Sequence, residues 1–155
     1  MPEPALLFIC LGNICRSPLA EAALRHEAER AGLSLVVDSA GTGDWHLGKA
    51  PDVRAQAQAR RHGIDISGYR ARQVEAEDFR RFSHIFALDH KNLADLKALR
   101  PQDGTATLSL LLDHVPGFEG RSVADPYFGD EAGFAETWRE VSRAAKALVQ
   151  GLIPR

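Results

Sequence analysis

Apolar and polar positions alternate along this chain in blocks that switch between strand and helix periodicity. Ala5 to Cys10 is an unbroken apolar run ending at Gly12, and Ser17-Pro18 then leads into a helical pattern from Leu19 to Ala31 with Glu21 near its start. This reads as strand, glycine-bearing loop, helix. A β-branched run, Leu33 to Val37, predicts a second strand before the polar, glycine-rich stretch Asp38 to Gly48, and Pro51 opens a helix to about His62. Beyond it the pattern predicts a helix over Glu75 to Phe82, a strand over Ser83 to Leu88, a helix over Lys91 to Arg100 and a strand over Thr105 to Leu111. A Pro- and Gly-bearing loop from Asp113 to Asp130 precedes a final amphipathic helix, Ala132 to Leu152.

Helices alternating with apolar strands predict an α/β fold with three α/β/α layers around a central four-stranded parallel sheet, in Rossmann-like topology with right-handed crossovers. Ligands in such folds bind outside the C-terminal ends of the strands, which is where the loop at Cys10 falls. The long loop before the last helix is of a length that is usually functional. With 155 residues, 45% of them apolar, and no repeat or linker, residues 1–155 are expected to form one domain.

Charge removes several function classes. The net charge is −2, with 19 basic and 21 acidic residues spread along the chain, so no basic stripe is available for nucleic acid or anionic lipid. The run from Ala5 to Leu11 follows Glu3 and is too short to span a bilayer, which leaves no membrane partner and points to a cytoplasmic address. Cys10 and Cys15 are the only cysteines, and their spacing fits neither a zinc pattern nor a disulfide scaffold. Two buried apolar thiols would be the ordinary explanation.

The segment around them argues otherwise. Cys10 and Arg16 are separated by five residues, after a strand and before a helix. A loop wrapped around a phosphate turns its main-chain N–H groups inward, and Gly12 and Asn13 tolerate the left-handed backbone that this requires. Leu11, Gly12, Asn13, Ile14, Cys15, Arg16 and Ser17 would then form the phosphate cradle. The helix beginning near Ser17 adds free N–H groups and the positive end of its dipole, which favours both a bound phosphate and a thiolate at Cys10. Arg16 brings a planar fork of donors matched to two phosphate oxygens. Asn13 and Ser17 are also ordinary helix-capping types. Of the 11 aspartates, Asp125 is the best candidate for a general acid, because Pro126 holds the residue before it extended within the long loop. An Asp-Pro turn explains the same pair without chemistry.

Cys10 to Glu21, CLGNICRSPLAE, resembles the phosphate loop and following helix of the low-molecular-weight protein tyrosine phosphatases, and the likeness extends over nearly the whole chain. Asp38-Ser39-Ala40-Gly41-Thr42, Asp44-Trp45, His62-Gly63-Ile64, Ala71-Arg72-Gln73 and Asp125-Pro126-Tyr127 recur at similar places. The resemblance implies hydrolysis of phosphotyrosine through a cysteinyl-phosphate, with Cys10 as nucleophile, Arg16 as phosphate clamp and Asp125 as acid and then base. It implies a substrate rim of Trp45, Tyr127 and Phe128, the last standing where the family commonly has a second tyrosine. It further implies that Ser39 supports Asn13, that His62 helps hold the loop, and that Asp89 orients the loop or the acid region. Glycine-capped helix end and helix N-cap are the simpler accounts of His62 and Asp89. Cys15 resembles the neighbour that traps an oxidised nucleophile as a reversible disulfide, so inactivation by mild peroxide would be reversible.

Three rivals remain in view. Arsenate reduction on this fold passes oxidation through further cysteines, and none follows Cys15; phosphoarginine hydrolysis resembles members with threonine where Ile14 stands. A silent phosphopeptide-binding module would need neither Cys10 nor Asp125. The chemistry requires no cofactor and no metal. Expected partners are phosphotyrosine proteins, bacterial tyrosine kinases of polysaccharide export being one possibility, with phosphate as product or inhibitor and the chain a monomer or weak dimer.

Overall fold

The computed structural model describes residues 3–152. Strands β1 (Ala5–Cys10), β2 (Val36–Gly41), β3 (His84–Ala87) and β4 (Thr107–Leu110) alternate with helices α1 (Arg16–Arg30), α2 (Val53–Arg61), α3 (Asp78–Arg81), α4 (His90–Leu99) and α5 (Glu131–Leu152). All strands are parallel, in the order β2-β1-β3-β4. The chain steps from β1 to β2 on one side and to β3 on the other, so the sheet order reverses beside β1. Cys10, its last residue, therefore opens onto the crevice where such sheets bind ligands.

The pleat of β1 sends alternate side chains into two cores. Leu6, Phe8 and Cys10 pack with Leu19, Leu24, Phe134 and Val141 beneath α1, α2 and α5. Leu7 and Ile9 pack on the other face with Phe79, Ile85 and Leu96 from β3, α3 and α4. A strand buried on both faces must be apolar throughout, which explains the unbroken run read from the sequence. Each such side chain contributes about 1.5–3 kcal/mol by leaving water.

Most elements fall where the pattern places them, and two differ instructively. β2 spans Val36–Gly41 rather than Leu33 to Val37, because it pairs with β1 from Ala5↔Val36 to Cys10↔Gly41. Leu33 and Leu35 instead pack against the core from the connection before the strand. Pairing thus carries polar Asp38 and Ser39 to the functional edge. The helix expected over Glu75 to Phe82 contracts to Asp78–Arg81, since the buried Asp78 carboxylate accepts the Glu75 N–H at 2.8 Å and Phe82 turns extended to enter β3. Residues 111–114 form a 3-10 turn after β4.

Candidate active site

The loop between β1 and α1 folds around its own side chains. Asn13 is, among the described residues, the one non-glycine with positive φ, at 58°, a conformation that needs local compensation. Its amide supplies it. Nδ2 donates to Ser17 Oγ at 2.8 Å and to Ser39 Oγ at 2.9 Å, while Oδ1 accepts the Arg72 main-chain N–H at 3.1 Å. That last bond fixes which end of the amide is oxygen. Ser39 donates onward to Glu21 Oε1 at 2.7 Å.

Because Ser17 Oγ already accepts from Asn13, its single hydrogen is free to point at Cys10 Sγ, 3.0 Å away. The Asn13 N–H also donates to that sulfur, at 3.3 Å. Cys10 is thus held as an acceptor, the arrangement that a thiolate requires. The Cys10 and Leu11 carbonyls accept from the Thr42 and Gly43 N–H groups, each at 2.9 Å, which turns the loop's oxygens toward the β2 side. Main-chain N–H groups of Leu11, Gly12, Ile14 and Cys15 have no protein acceptor among the described residues, and the Cys15 N-cap of α1 is made by no side chain. These donors form an anion nest at a helix N-terminus. The end of β2 passes close beneath: a Cβ on Gly41 would lie 2.7 Å from the Leu11 carbonyl oxygen, which only glycine avoids.

Arg16 is 2% exposed. Its Nη1 donates to Asp89 Oδ2 at 2.7 Å and to the Val123 carbonyl at 3.0 Å, and its Nη2 lies 3.7 Å from Asp125 Oδ2. Burial alone would lower the guanidinium pKa, but Cys10, Asp89 and Asp125 together raise it, so Arg16 remains charged. Asp89 bonds both to its own helix and to the loop arginine. One oxygen accepts the Asn92 N–H at 2.7 Å and caps α4, and the other orients Arg16. Asp125 accepts the Tyr127 N–H on Oδ1 at 3.0 Å, an Asx turn ahead of Pro126, which leaves Oδ2 facing Arg16.

These groups converge on a cavity of about 230 Å³ whose lining includes Cys10, Arg16 and Asp125. Trp45, 65% exposed, and Phe128, 95% exposed, stand at its mouth with Tyr127, whose ring meets Phe128 edge-on at 5.0 Å. Large apolar side chains left in water around a pocket mark a recognition surface. Ile14 and Cys15 also line the cavity; burial first, and Asp52 next, push the Cys15 thiol pKa far up, so it stays protonated.

His62 does not reach the loop. It sits at the far end of α2 from Asp52, the end tied to the loop, and stacks on Trp138 of α5 at 4.7 Å while meeting Gln58 at 3.2 Å. The C-terminal position that Gly63 follows is its structural setting. Sequence reasoning missed four residues that do matter here: Glu21 behind Ser39, Arg72 behind Asn13, His46 on the cavity wall, and Arg54. Arg72 lies inside a quoted motif, and Arg54 follows an Asp-capped helix start, but neither pattern shows across what distance its partner lies.

The buried Glu21 makes a measurable prediction. Burial raises its carboxyl pKa above 4.5, and hydrogen bonds from Ser39 and Arg25 offset this only in part. A raised folded value means stability that is present at low pH and lost as pH rises through that value. Glu21→Gln cannot ionise, so its melting temperature should improve relative to wild type as pH rises from 4.5. A relative decline over that range would show that the Arg25 ion pair outweighs burial.

The sequence and structure also match known proteins. The family model described as low molecular weight phosphotyrosine protein phosphatase matches residues 5–153. The low molecular weight phosphotyrosine protein phosphatase 2 of Drosophila melanogaster is 43% identical over 151 residues, 96% of this chain and 92% of that one. The Bacillus subtilis low molecular weight protein-tyrosine-phosphatase YfkJ is 42% identical over 150 residues, 96% and 95% of the two chains. Its crystal structure superposes with a TM-score of 0.90, covering 98% and 96%. A crystal structure described as a Drosophila arginine phosphatase aligns as closely, at TM-score 0.90 and 32% identity over 96% and 98%. The chain belongs to the low molecular weight phosphotyrosine protein phosphatase family.

Proposed function

We propose that this chain hydrolyses phosphotyrosine in proteins by two in-line displacements at Cys10. The thiolate attacks phosphorus while Asp125 gives its proton to the departing phenolic oxygen, forming cysteinyl phosphate and free tyrosine. Water then attacks the phosphoenzyme, Asp125 takes its proton, and Cys10 leaves as a thiolate held by the Ser17 hydroxyl. Arg16 and the loop N–H groups balance the charge on the equatorial oxygens in both steps. One observation carries the reading: a buried thiol that accepts two hydrogen bonds shares a cavity with a buried guanidinium and a carboxylate 3.7 Å from it.

The same reading gives Trp45, Tyr127 and Phe128 the task of gripping an aryl ring whose phosphate reaches the loop, a depth that a serine phosphate cannot span. Cys15 serves as the thiol that condenses with an oxidised Cys10. Residues 1–155 act as one domain, in a cytoplasmic setting that keeps both cysteines reduced, as a monomer or weak dimer. Its partners are phosphotyrosine proteins, with tyrosine kinases as one source.

Phosphoarginine is the second reading, because an arginine phosphatase aligns over nearly the full chain. The apolar Ile14 side chain in the cavity lining favours an aryl group over a guanidinium. Matched phosphotyrosine, phosphoserine and phosphoarginine peptides, assayed for phosphate release with EDTA and reductant present, decide the matter. Phosphotyrosine should be preferred by at least about 10²-fold, the scale on which a site rejects the wrong polar pattern. A higher kcat/KM on phosphoarginine would reverse the assignment, and activity lost in EDTA would refute a metal-free mechanism.

A further inference from the structure

The loop that carries Asp125 has little of its own to hold it. Between residues 124 and 130 only Pro126 is buried, and the loop's internal hydrogen bonds are the Asx turn at Asp125 and one from the Gly129 N–H to the Pro126 carbonyl at 2.9 Å. Arg54, at the start of α2, reaches across to it. Nη2 donates to the Tyr127 carbonyl at 2.9 Å and Nη1 to the Gly129 carbonyl at 3.0 Å. The guanidinium also lies over the Phe134 ring at 4.7 Å and the Tyr127 ring at 5.7 Å.

Arg54 is itself aimed. Nε and Nη2 each meet one oxygen of Asp52 at 3.0 Å, and Asp52 caps α2 by accepting the Arg54 N–H at 2.8 Å. The Asp52 N–H in turn donates to the Ile14 carbonyl at 2.9 Å. A continuous path of bonds therefore runs from the phosphate loop through Asp52 and Arg54 to the main chain just after the acid. The fork is what this path needs: lysine could satisfy one carbonyl but not two carbonyls and a bidentate carboxylate together.

We propose that Arg54 is the positioning residue of the acid loop, setting where Asp125 stands relative to a phosphate held on the Cys10 loop. The proposal rests on reading Asp125 as the general acid. Its signature is selective. A displaced acid slows substrates whose leaving oxygen needs a proton and spares those whose leaving group departs as a stable anion, whereas damage to the phosphate loop slows both alike.

The test measures kcat/KM on phenyl phosphate and 2,4-dinitrophenyl phosphate, with inhibition by inorganic phosphate as the readout of the loop, for wild type, Arg54→Lys, Arg54→Met, Asp52→Asn and Asp125→Asn. Asparagine caps helices as well as aspartate does, so Asp52→Asn keeps α2 even if an Arg54 variant folds poorly. The Arg54 and Asp52 variants should lose about 10- to 100-fold on phenyl phosphate, part of what a general acid contributes, and less than about threefold on the dinitrophenyl ester, with phosphate inhibition unchanged. Equal losses on both esters, or none on either, in variants that melt like wild type would overturn the proposal while a steep leaving-group dependence in Asp125→Asn left the acid assignment standing. A flat dependence in Asp125→Asn would remove the acid assignment and the proposal together.

Discussion

Cys10→Ser is expected to abolish turnover, lowering kcat by about 10⁵-fold or more, the scale of deleting a nucleophile, while the fold and phosphate binding persist. Both displacements fail at once. A serine hydroxyl is not ionised at neutral pH, and a seryl phosphate would have to expel an alkoxide where cysteinyl phosphate expels a thiolate. The substituted oxygen nevertheless finds the Ser17 hydroxyl and the Asn13 N–H already aimed at its position, so no buried polar atom is orphaned. Arg16 and the main-chain nest are untouched, and the repulsion between a thiolate and a phosphate dianion disappears. Inorganic phosphate should therefore bind at least as tightly as to wild type. Steady-state rates on an aryl phosphate and calorimetric titration with phosphate check the two halves. Turnover within tenfold of wild type would remove Cys10 from the mechanism, and loss of phosphate binding would show that the sulfur itself shapes the loop.

Much of this site is legible in the sequence because its central part is local. β1, the loop and α1 are contiguous, and their signals of apolar run, glycine and helix start reinforce each other from Ala5 to Arg30. What supports the loop is not local. Ser39 and Arg72 belong to β2 and a connection, and only parallel pairing of β1 with β2 and the isolated bridge from Gly41 to Gln73 bring them to Asn13, with Glu21 of α1 joining through Ser39. The misplaced β2 is the same lesson in miniature. A β-branched run sets where a strand is tolerated, but its register with the central strand decides that Ser39 lies beside Phe8. His62 shows the opposite error, since its motif matched in sequence while the end of α2 carries it away toward Trp138. Arg54 escaped notice because an arginine near a helix start is ordinary; only the fold reveals the two carbonyls that it spans.

Arg16→Lys keeps the charge and discards the fork, and it should lower kcat by about 10²–10³-fold, the cost of removing a preorganised donor to a developing anion. The guanidinium must serve two sets of partners. Nη1 is held from behind by Asp89 at 2.7 Å and the Val123 carbonyl at 3.0 Å, so the rest of the plane is presented toward the cavity at a fixed angle. A lysine ammonium can sit against Asp89 or reach a phosphate oxygen, but it cannot hold both with parallel donors. Affinity for phosphate should fall with kcat, because a bound phosphate has the same oxygens as the transition state even though it makes weaker use of them. Folding should suffer little, since Asp89 keeps a cation beside it and retains its bond to the Asn92 N–H. Arg16→Ala should be worse in both respects, leaving the Asp89 carboxylate without its partner in a partly buried site. Parallel measurement of kcat, phosphate inhibition and melting temperature separates these effects. A lysine variant with kcat within threefold of wild type would mean that charge alone suffices and that the planar fork has no part in the chemistry.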